Sequence, residues 1–229
     1  MPDNSSPLSF LADNITLSKK VRLLEELDFD NDQILNDSYS FLEQKALKDL
    51  VSVDCIDGTI YKLLFNSNNP EILNRLTLNF SDGLVHPSSP FHASYLELQD
   101  LLITNNFQEA DKLTSKILCM LANTMSRGWL YFSDVKQISQ LDLKLLDNLW
   151  RIYSKGRFGF SVQRQIWLAN GQDWNLLWDK IGWRQNDTLC RYPEEFNWTL
   201  KAPVGHLPLS NQLRGIQMLK ALFNLKIWQ

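Results

Sequence analysis

The sequence predicts an all-α protein in two parts, and three observations support that prediction. Apolar residues recur at helical spacing along most of the chain, each such stretch has its own start and stop residues, and no convincing set of alternating strands is present. A segment rich in proline, glycine and serine, 81–93, divides the chain. We therefore expect an N-terminal helical bundle over 1–85 and a second helical domain over 90–229.

The N-terminal third is predicted to contain short helices that form a repeat-like bundle. The first helix is expected after Leu17-Ser18 and the third after Asp57 and Gly58. Asn69 followed by Pro70 is typical of a helix cap and the first helical residue. Helices this short cannot bury an apolar face alone, so we expect them to pack on one another. The apolar stripes are Val21, Leu24 and Leu27; Phe41, Leu42, Ala46, Leu47 and Leu50; and Ile60, Leu63 and Leu64.

The second part begins with a predicted helical hairpin, broken at Asn105-Asn106. Three later helices are expected to begin at the cap residues Asp142, Ser161 and Asp173. The glycines that would end them in the left-handed conformation are Gly156, Gly171 and Gly182, and Ser210 would cap a last helix.

The aromatic residues of this second part divide into core and candidate surface. All eight tryptophans lie at or beyond Trp129, and Trp150 and Trp167 are expected in the core because they fall within helices. For Phe158 and Phe160 the sequence leaves core and surface open, because the alternation in GRFGFS could put one side chain inward and the other outward.

Residues 183–209 interrupt the helical pattern with three prolines and four large aromatic residues. A loop of this length inside a compact domain is uncommon and is usually functional. Tyr192, Phe196 and Trp198 are therefore predicted to contact a ligand or a partner. Arg214 lies just beyond the loop. A lone helical arginine is usually only solvated, but beside an apolar cleft it could instead pair bidentately with a carboxylate.

The composition excludes several classes of protein. Hydrophobic residues make up 44% and charged residues 21%, and the formal net charge of -3 does not indicate nucleic-acid binding. No apolar run approaches the roughly 20 residues that span a bilayer, although peripheral membrane association is compatible with the sequence. The first ten residues resemble neither a secretory signal nor a transit peptide, so the chain is expected to stay where it is made. The three dispersed cysteines indicate free thiols in a reducing compartment.

Motifs for catalysis are missing from the sequence. There is no phosphate-binding glycine loop, no nucleophile elbow, no zinc-protease motif and no cysteine pair at metal-site spacing. We therefore expect no catalytic residue, no catalytic cofactor and no metal site, with His206 as a weak metal-ligand candidate for which loop hydrogen bonding is favoured. An enzyme acting on a small molecule is disfavoured because no acid–base constellation is evident.

Three stretches carry a specific family resemblance: GRFGFSVQRQIWLA at 156–169, IGWRQ at 181–185 and RYPEEFNWTLKAPVGHLPLSNQLRG at 191–215. They closely resemble the Genomes-Uncoupled-Four family of tetrapyrrole-binding proteins. The likeness extends back through 128–150 and covers roughly 90–229, whereas the N-terminal third is similar only in its helical character, as in cyanobacterial and algal members.

This resemblance implies an all-helical core shaped like a cupped hand that binds protoporphyrin IX and Mg-protoporphyrin IX. It also implies a non-catalytic activator of magnesium chelatase in chlorophyll biosynthesis, acting through that enzyme's large porphyrin-binding subunit, in a plastid or a cyanobacterial cytoplasm. Tyr192 stands where many members have tryptophan and Gln217 where many have a second arginine, which implies a different pigment affinity or choice. The implied porphyrin-binding residues are Phe132, Val135, Tyr192, Phe196, Trp198, Leu207, Asn211, Arg214 and Gln217.

An alternative function from a different class stays open at this point. As the second-ranked interpretation, the aromatic loop would be the hot spot of a helical protein-interaction scaffold that binds no pigment. Mixing the protein with protoporphyrin distinguishes the two.

Overall fold

A computed structural model describes residues 6–48, 53–87, 89–209 and 216–228, with the side chains of 46–48 outside the description. Within these residues the chain forms ten α-helices and one hairpin of two very short strands, which confirms the predicted all-α class. The chain divides into two compact units, Met1–His86 and Pro87–Gln229.

The described residues of the N-terminal unit form four α-helices preceded by a short 3-10 helix. Helix α3 packs against α1, α2 and α4. In chain order the elements are the 3-10 helix Ser9–Ala12, α1 Leu17–Glu25, α2 Asp32–Lys48, α3 Cys55–Phe65 and α4 Pro70–Asn79.

Local capping chemistry accounts for where these helices begin. The Asn69 side chain accepts hydrogen bonds from the backbone N–H groups of Glu71 and Ile72, and Pro70 begins α4, as predicted. The prediction that Asp57 and Gly58 precede the third helix is wrong, because both lie inside α3. Asp54 caps that helix instead, and the Asp57 carboxylate accepts the backbone N–H of Asp54 at 2.7 Å in a reciprocal capping box.

The predicted apolar stripes form most of this unit's core. Leu27, Phe41 and Leu63 are half-buried. The side chains of Ala46 and Leu47, and all of Leu50, lie outside the described residues. The fully buried members are Val21, Leu24, Leu42, Ile60 and Leu64.

The C-terminal unit opens with the predicted helical hairpin, in which Asn105 adopts a left-handed φ of 59° between the two helices. Its elements are α5 His92–Ile103, α6 Phe107–Leu121, the 3-10 helix Asp134–Gln137, α7 Gln140–Tyr153, α8 Phe160–Ala169, α9 Trp174–Lys180, β1 Arg184–Gln185, β2 Thr188–Leu189, α10 Gln217–Phe223 and the 3-10 helix Lys226–Trp228.

Two of the predicted caps in this unit are wrong. Helix α7 begins one turn earlier than expected, because Ser139 is its cap and accepts the N–H of Asp142. Ser161 is the second residue of α8 rather than its cap, and its N–H and hydroxyl both donate to Asp147. Asp173 does cap α9, as predicted. Gly156, Gly171 and Gly182 follow α7, α8 and α9 in the left-handed conformation, and Ser210 lies outside the described residues.

The strand pair β1–β2 was not predicted. Asn186 and Asp187 form its two-residue turn with φ values of 48° and 60°, which is the left-handed pair that a tight hairpin requires. With two residues per strand, no alternation is long enough to be read from the sequence.

An aromatic core holds the C-terminal helices together. Trp150 and Trp167 are buried, as predicted. The Phe107 ring stacks on Trp150 with 6.1 Å between the ring centres, and it contacts Phe158 edge-on with 5.5 Å between the ring centres. Phe158 and Phe160 are both fully buried, so of the two alternatives that the sequence left open the core position is the one found for both. Phe160 already belongs to α8, and the strand-like alternation therefore does not continue through it.

Candidate functional site

The first candidate segment is the loop between α6 and α7, residues 122–139, which holds its apolar side chains in two layers. Leu130, Val135 and Ile138 are buried and anchor the loop. Tyr131 and Phe132 project outward, with exposed fractions of 50% and 56%. The loop thus presents two adjacent aromatic rings on a fixed apolar base.

Arg127 organises this loop electrostatically. Its guanidinium lies 4.7 Å from the centre of the Trp129 ring and 4.5 Å from that of Tyr131. The same guanidinium pairs with Asp134, whose carboxylate also accepts the N–H of Tyr131 at 2.7 Å. Because cation–π contacts and a charge-assisted hydrogen bond act on the same few residues, the conformation of Tyr131 is set before any ligand arrives.

The second candidate segment, 183–209, is pinned at its two ends by one pair of side chains. The Trp183 indole donates to the carbonyl of His206 at 2.7 Å. The Nδ1 of His206 donates to the carbonyl of Ile181 at 2.6 Å, and its Nε2 accepts the N–H of Asn197 at 3.1 Å. Burial lowers the pKa of His206, in keeping with this neutral ring. Metal ligation by Nε2 would break the hydrogen bond to Asn197.

The three aromatic residues predicted from this loop form one cluster. The rings of Tyr192, Phe196 and Trp198 lie 5.8 to 6.4 Å apart, and the Trp198 indole donates to the carbonyl of Pro193 at 3.0 Å. Phe196 is buried, Trp198 is half-buried and Tyr192 is 37% exposed. The cluster therefore offers mainly Tyr192 and one face of Trp198 to solvent.

The end of this loop lies against the buried side of α8. The Gln163 amide donates to the carbonyls of Gly205 and Pro208 at 3.0 and 2.8 Å. Gly205, at φ 79°, passes so close to Ile166 that an added Cβ would lie 2.8 Å from its Cδ1. Leu207 is fully buried, so it supports the loop from beneath.

Asp111 of α6 ties down the last described residue of the loop. It accepts the N–H of Leu209 at 2.6 Å and is itself buried. Burial raises the pKa of Asp111 to about 7, against the lowering effect of the bond to Leu209. The pKa of Tyr192 is also raised, first by burial and then by the negative charges of Asp111 and Glu109.

Helix α10 connects the two candidate segments. It follows the second segment in sequence and packs on the 3-10 helix of the first. Gln217 is the first residue of α10 and is exposed. Asn211 and Arg214 lie outside the described residues, as do all of 210–215.

The structure thus groups the predicted residues into an aromatic cluster, an exposed ring at Phe132 and two buried supports, Val135 and Leu207. Arg127 and Asp111 were missed. Arg127 precedes WLYF at 129–132, which has three aromatic residues, and Asp111 is an acidic residue among the apolar positions of its helix; both signals are visible in the sequence.

Two features of the described residues bear on the class of protein. They contain no group of three or more His, Cys, Asp or Glu side chains placed to hold a metal ion. Among their helices, none combines the length and the apolar character needed to cross a bilayer.

Comparison with known proteins decides the family. The GUN4-like family model matches residues 88–226. The chain belongs to the GUN4-like family. This confirms the resemblance derived from the motifs at 156–215.

Several relatives of this GUN4-like chain are known by sequence. It is 44% identical over 214 residues to a protein of Porphyra purpurea called uncharacterized protein ycf53, covering 93% of this chain and 90% of that protein. It is 41% identical to the Ycf53-like protein of Synechocystis, covering 75% and 74% of the two chains. A protein of Arabidopsis thaliana named tetrapyrrole-binding protein, chloroplastic, is 41% identical over 56% of this chain and 52% of its own length. The relatives thus place this chain in a plastid or a cyanobacterial cell, as predicted.

Solved structures support the same fold. GUN4 from Chlamydomonas reinhardtii matches with a TM-score of 0.59 and 38% identity, covering 63% of this chain and 96% of that one. The ligand-free structure of Arabidopsis thaliana GUN4 matches with a TM-score of 0.56 and 37% identity, covering 62% and 99%. The helical GUN4 fold therefore accounts for nearly the whole of these two chains and for somewhat less than two thirds of this one.

Proposed function

We propose that this chain binds protoporphyrin IX and Mg-protoporphyrin IX on its C-terminal unit and activates magnesium chelatase. It acts without catalysis, through the large porphyrin-binding subunit of that enzyme, in chlorophyll biosynthesis. The observation that carries the proposal is the exposed pair Tyr131 and Phe132, held outward on an ordered base. Membership of a family with a relative named for tetrapyrrole binding supports it.

The chemistry of a porphyrin suits this surface. The ligand is a flat apolar ring with two propionates at one edge, so it needs aromatic contacts and a cation near the rim. Phe132, Tyr192 and Trp198 would supply the contacts, and Arg214 would pair with a propionate, with Asn211 and Gln217 nearby. Val135, Phe196 and Leu207, which are buried, would hold these residues in place.

The expected affinity is nearer micromolar than nanomolar. If the ligand removes ~300 Å² of apolar surface from water at ~25 cal/mol/Å², the gross gain is ~7.5 kcal/mol before the costs of association. Such an affinity suits a carrier that must release its pigment. Tyr192 and Gln217 replace the tryptophan and arginine of many members, so pigment affinity or choice is expected to differ from theirs.

Titration with each porphyrin tests the binding. We expect saturable quenching of tryptophan fluorescence and a shift of the porphyrin absorption band, since all eight tryptophans lie in the C-terminal unit. A flat titration up to tens of micromolar overturns the proposal and favours the protein-interaction scaffold.

The charge-reversing variant Arg214→Glu sharpens this test. Loss of one charge-assisted contact with a propionate should weaken binding by about 1.5–3 kcal/mol without unfolding the protein. Lys180→Glu, exposed on α9, applies the same change of charge and should leave the affinity unchanged. Equal affinities for the two variants would show that Arg214 is merely solvated.

The chelatase step needs its own measurement. Purified magnesium chelatase should form Mg-protoporphyrin faster when this protein is added, and Arg214→Glu should reduce the stimulation. If the protein binds porphyrin normally but does not stimulate the chelatase, the proposed role as a porphyrin carrier stands and the proposed role as an activator is wrong.

A further inference from the structure

A cavity in the C-terminal unit lies between α7, α8 and the 3-10 helix Lys226–Trp228. Its volume is about 180 Å³, many times the ~15 Å³ that a cavity needs to hold one water. None of the described residues assigned above to porphyrin binding lines it. The lining residues that matter for its chemistry are Lys144, Asp147, Arg151, Ser161, Arg164 and Trp228.

The cavity concentrates positive charge on a chain whose net charge is -3. Lys144 and Arg151 stand seven residues apart on one face of α7, and Arg164 faces them from α8. Among the described residues, three cations and a single carboxylate, that of Asp147, line the same space. The local balance is therefore strongly cationic.

The carboxylate of Asp147 already accepts hydrogen bonds from within the protein. Asp147 is buried and accepts the N–H of Ser161 at 2.8 Å and its hydroxyl at 2.6 Å. These bonds cap the start of α8, so the first helical amides do not provide the site. Binding at this cavity must come from the side chains.

The cations, in contrast, have donors to spare. Neither Lys144 nor Arg151 donates a hydrogen bond to another residue of the described ranges, and Arg151 acts on Asp147 only as a nearby charge. Arg164 uses its Nε to hold the carbonyl of Phe223 at 2.7 Å, which leaves its two terminal nitrogens. Trp228 donates to the carbonyl of Leu222 at 2.7 Å, so its ring is fixed as a wall.

We propose that this cavity binds a phosphate dianion, either free or as the terminal group of a small phosphomonoester. A phosphoryl group of charge about −1.5 to −2 at pH 7 matches three cations offset by one carboxylate. Guanidinium groups bind such oxygens in pairs, which gives geometry as well as charge. The cavity holds one tetrahedral oxyanion and leaves room for a few waters.

Titration of the full-length protein with inorganic phosphate and, separately, with glycerol 2-phosphate tests this inference. The readout is the NMR signal of the Trp228 indole N–H, at constant ionic strength maintained with sodium chloride. We expect a saturable shift with a Kd of about 1 mM or tighter. If glycerol 2-phosphate binds more tightly, the natural ligand is a phosphomonoester. If inorganic phosphate binds more tightly, the natural ligand is free phosphate.

Matched double variants make the test specific. Lys144→Gln with Arg151→Gln should weaken phosphate binding by about tenfold or more while leaving the melting temperature and porphyrin binding intact. Lys116→Gln with Lys180→Gln removes the same two charges from exposed positions in this unit and should bind like the parent. Either of two results overturns the proposal. The Trp228 signal could shift linearly with the concentration of both ligands, without saturation, or the variant with Lys144→Gln and Arg151→Gln could bind phosphate as tightly as the parent.

Discussion

Three buried aspartates have the same structural task in different parts of the chain. Asp57 accepts the N–H of Asp54, Asp111 that of Leu209 and Asp147 that of Ser161, at 2.6 to 2.8 Å. Each carboxylate thereby satisfies a backbone donor that would be costly to bury unpaired. Burial raises the pKa of all three, whereas their hydrogen bonds lower it, so each links stability to pH.

Asp111→Asn should flatten the pH dependence of stability. The pKa of Asp111 is about 7 in the folded chain, above the ordinary aspartate value of 3.8, so the folded chain binds more protons than the unfolded chain between these values. Stability contributed by this group is therefore lost as pH rises through that window, at up to about 1.4 kcal/mol for each step of one in pH. The asparagine cannot ionise, yet its amide oxygen can still accept the N–H of Leu209.

Urea unfolding followed by tryptophan fluorescence at pH 4.5 and pH 7.5 measures this difference. The gap in unfolding free energy between the two pH values should be smaller by about 1 kcal/mol or more in Asp111→Asn. Glu97→Gln, exposed on α5, serves as the control and should leave the gap close to that of the parent. The same gap in all three proteins would mean that Asp111 ionises as freely when folded as when unfolded.

At the scale of elements, the sequence predicts those helix starts and ends that are set by residues close by in the chain. Asn69-Pro70 and Asp173 begin helices and Gly182 follows one because each acts on residues within a single turn. Ser161 was misassigned because the acceptor at the start of α8 comes from Asp147, fourteen residues away on another helix. Only the folded structure brings that carboxylate to the helix end.

The same limit applies to the two candidate segments, 122–139 and 183–209. The aromatic and apolar residues in them are evident from the sequence, but the exposure of each side chain is not. Phe132 is exposed and Val135 buried, although they are three residues apart, because Val135 lies in the 3-10 helix Asp134–Gln137, which packs on α10, whereas Phe132 precedes that helix. Burial of this kind depends on a partner helix that is more than eighty residues further along the chain.

Gly159→Ala should destabilise the junction between α7 and α8. Gly159 adopts φ 139°, and an added Cβ would lie 2.7 Å from the Asp147 carboxylate and 3.0 Å from Cγ of Arg151. The backbone strain alone is worth about 1–3 kcal/mol, and the close contact with Asp147 adds to it. The backbone N–H of Gly159 also donates to the carbonyl of Leu207, so the second candidate segment should loosen as well.

Gly171→Ala is the matched control for this prediction. Gly171 has φ 66° but open space around its Cα, so it should cost only the left-handed strain of about 1–2 kcal/mol. Thermal unfolding followed by tryptophan fluorescence should therefore rank Gly159→Ala as clearly less stable than Gly171→Ala. Equal losses would show that the junction adjusts around a Cβ and that its close packing is not required.

At the scale of the whole molecule, the chain combines two units that differ in content. The family match begins at residue 88, and the boundary between the compact units falls between His86 and Pro87. All eight tryptophans, both candidate segments and the cavity between α7, α8 and the last 3-10 helix belong to the second unit. We therefore propose that 90–229 forms a domain that binds pigment by itself, and that 1–85 forms a separate helical domain.

A fragment of residues 88–229 should fold and bind porphyrin within a few-fold of the whole chain. The aromatic core around Trp150 and the pins at Trp183 and Asp111 are made entirely within this fragment, so its binding surface should keep its shape. Circular dichroism and melting temperature should be recorded beside the porphyrin titration, because a loss of stability has a different meaning from a loss of the site. A fragment that stays well folded but binds at least about tenfold more weakly, ~1.4 kcal/mol, would show that the N-terminal helices form part of the pigment site. In that case the division of the chain into a binding domain and a separate bundle would be wrong, and some of the ligand contacts would have to come from residues 1–85.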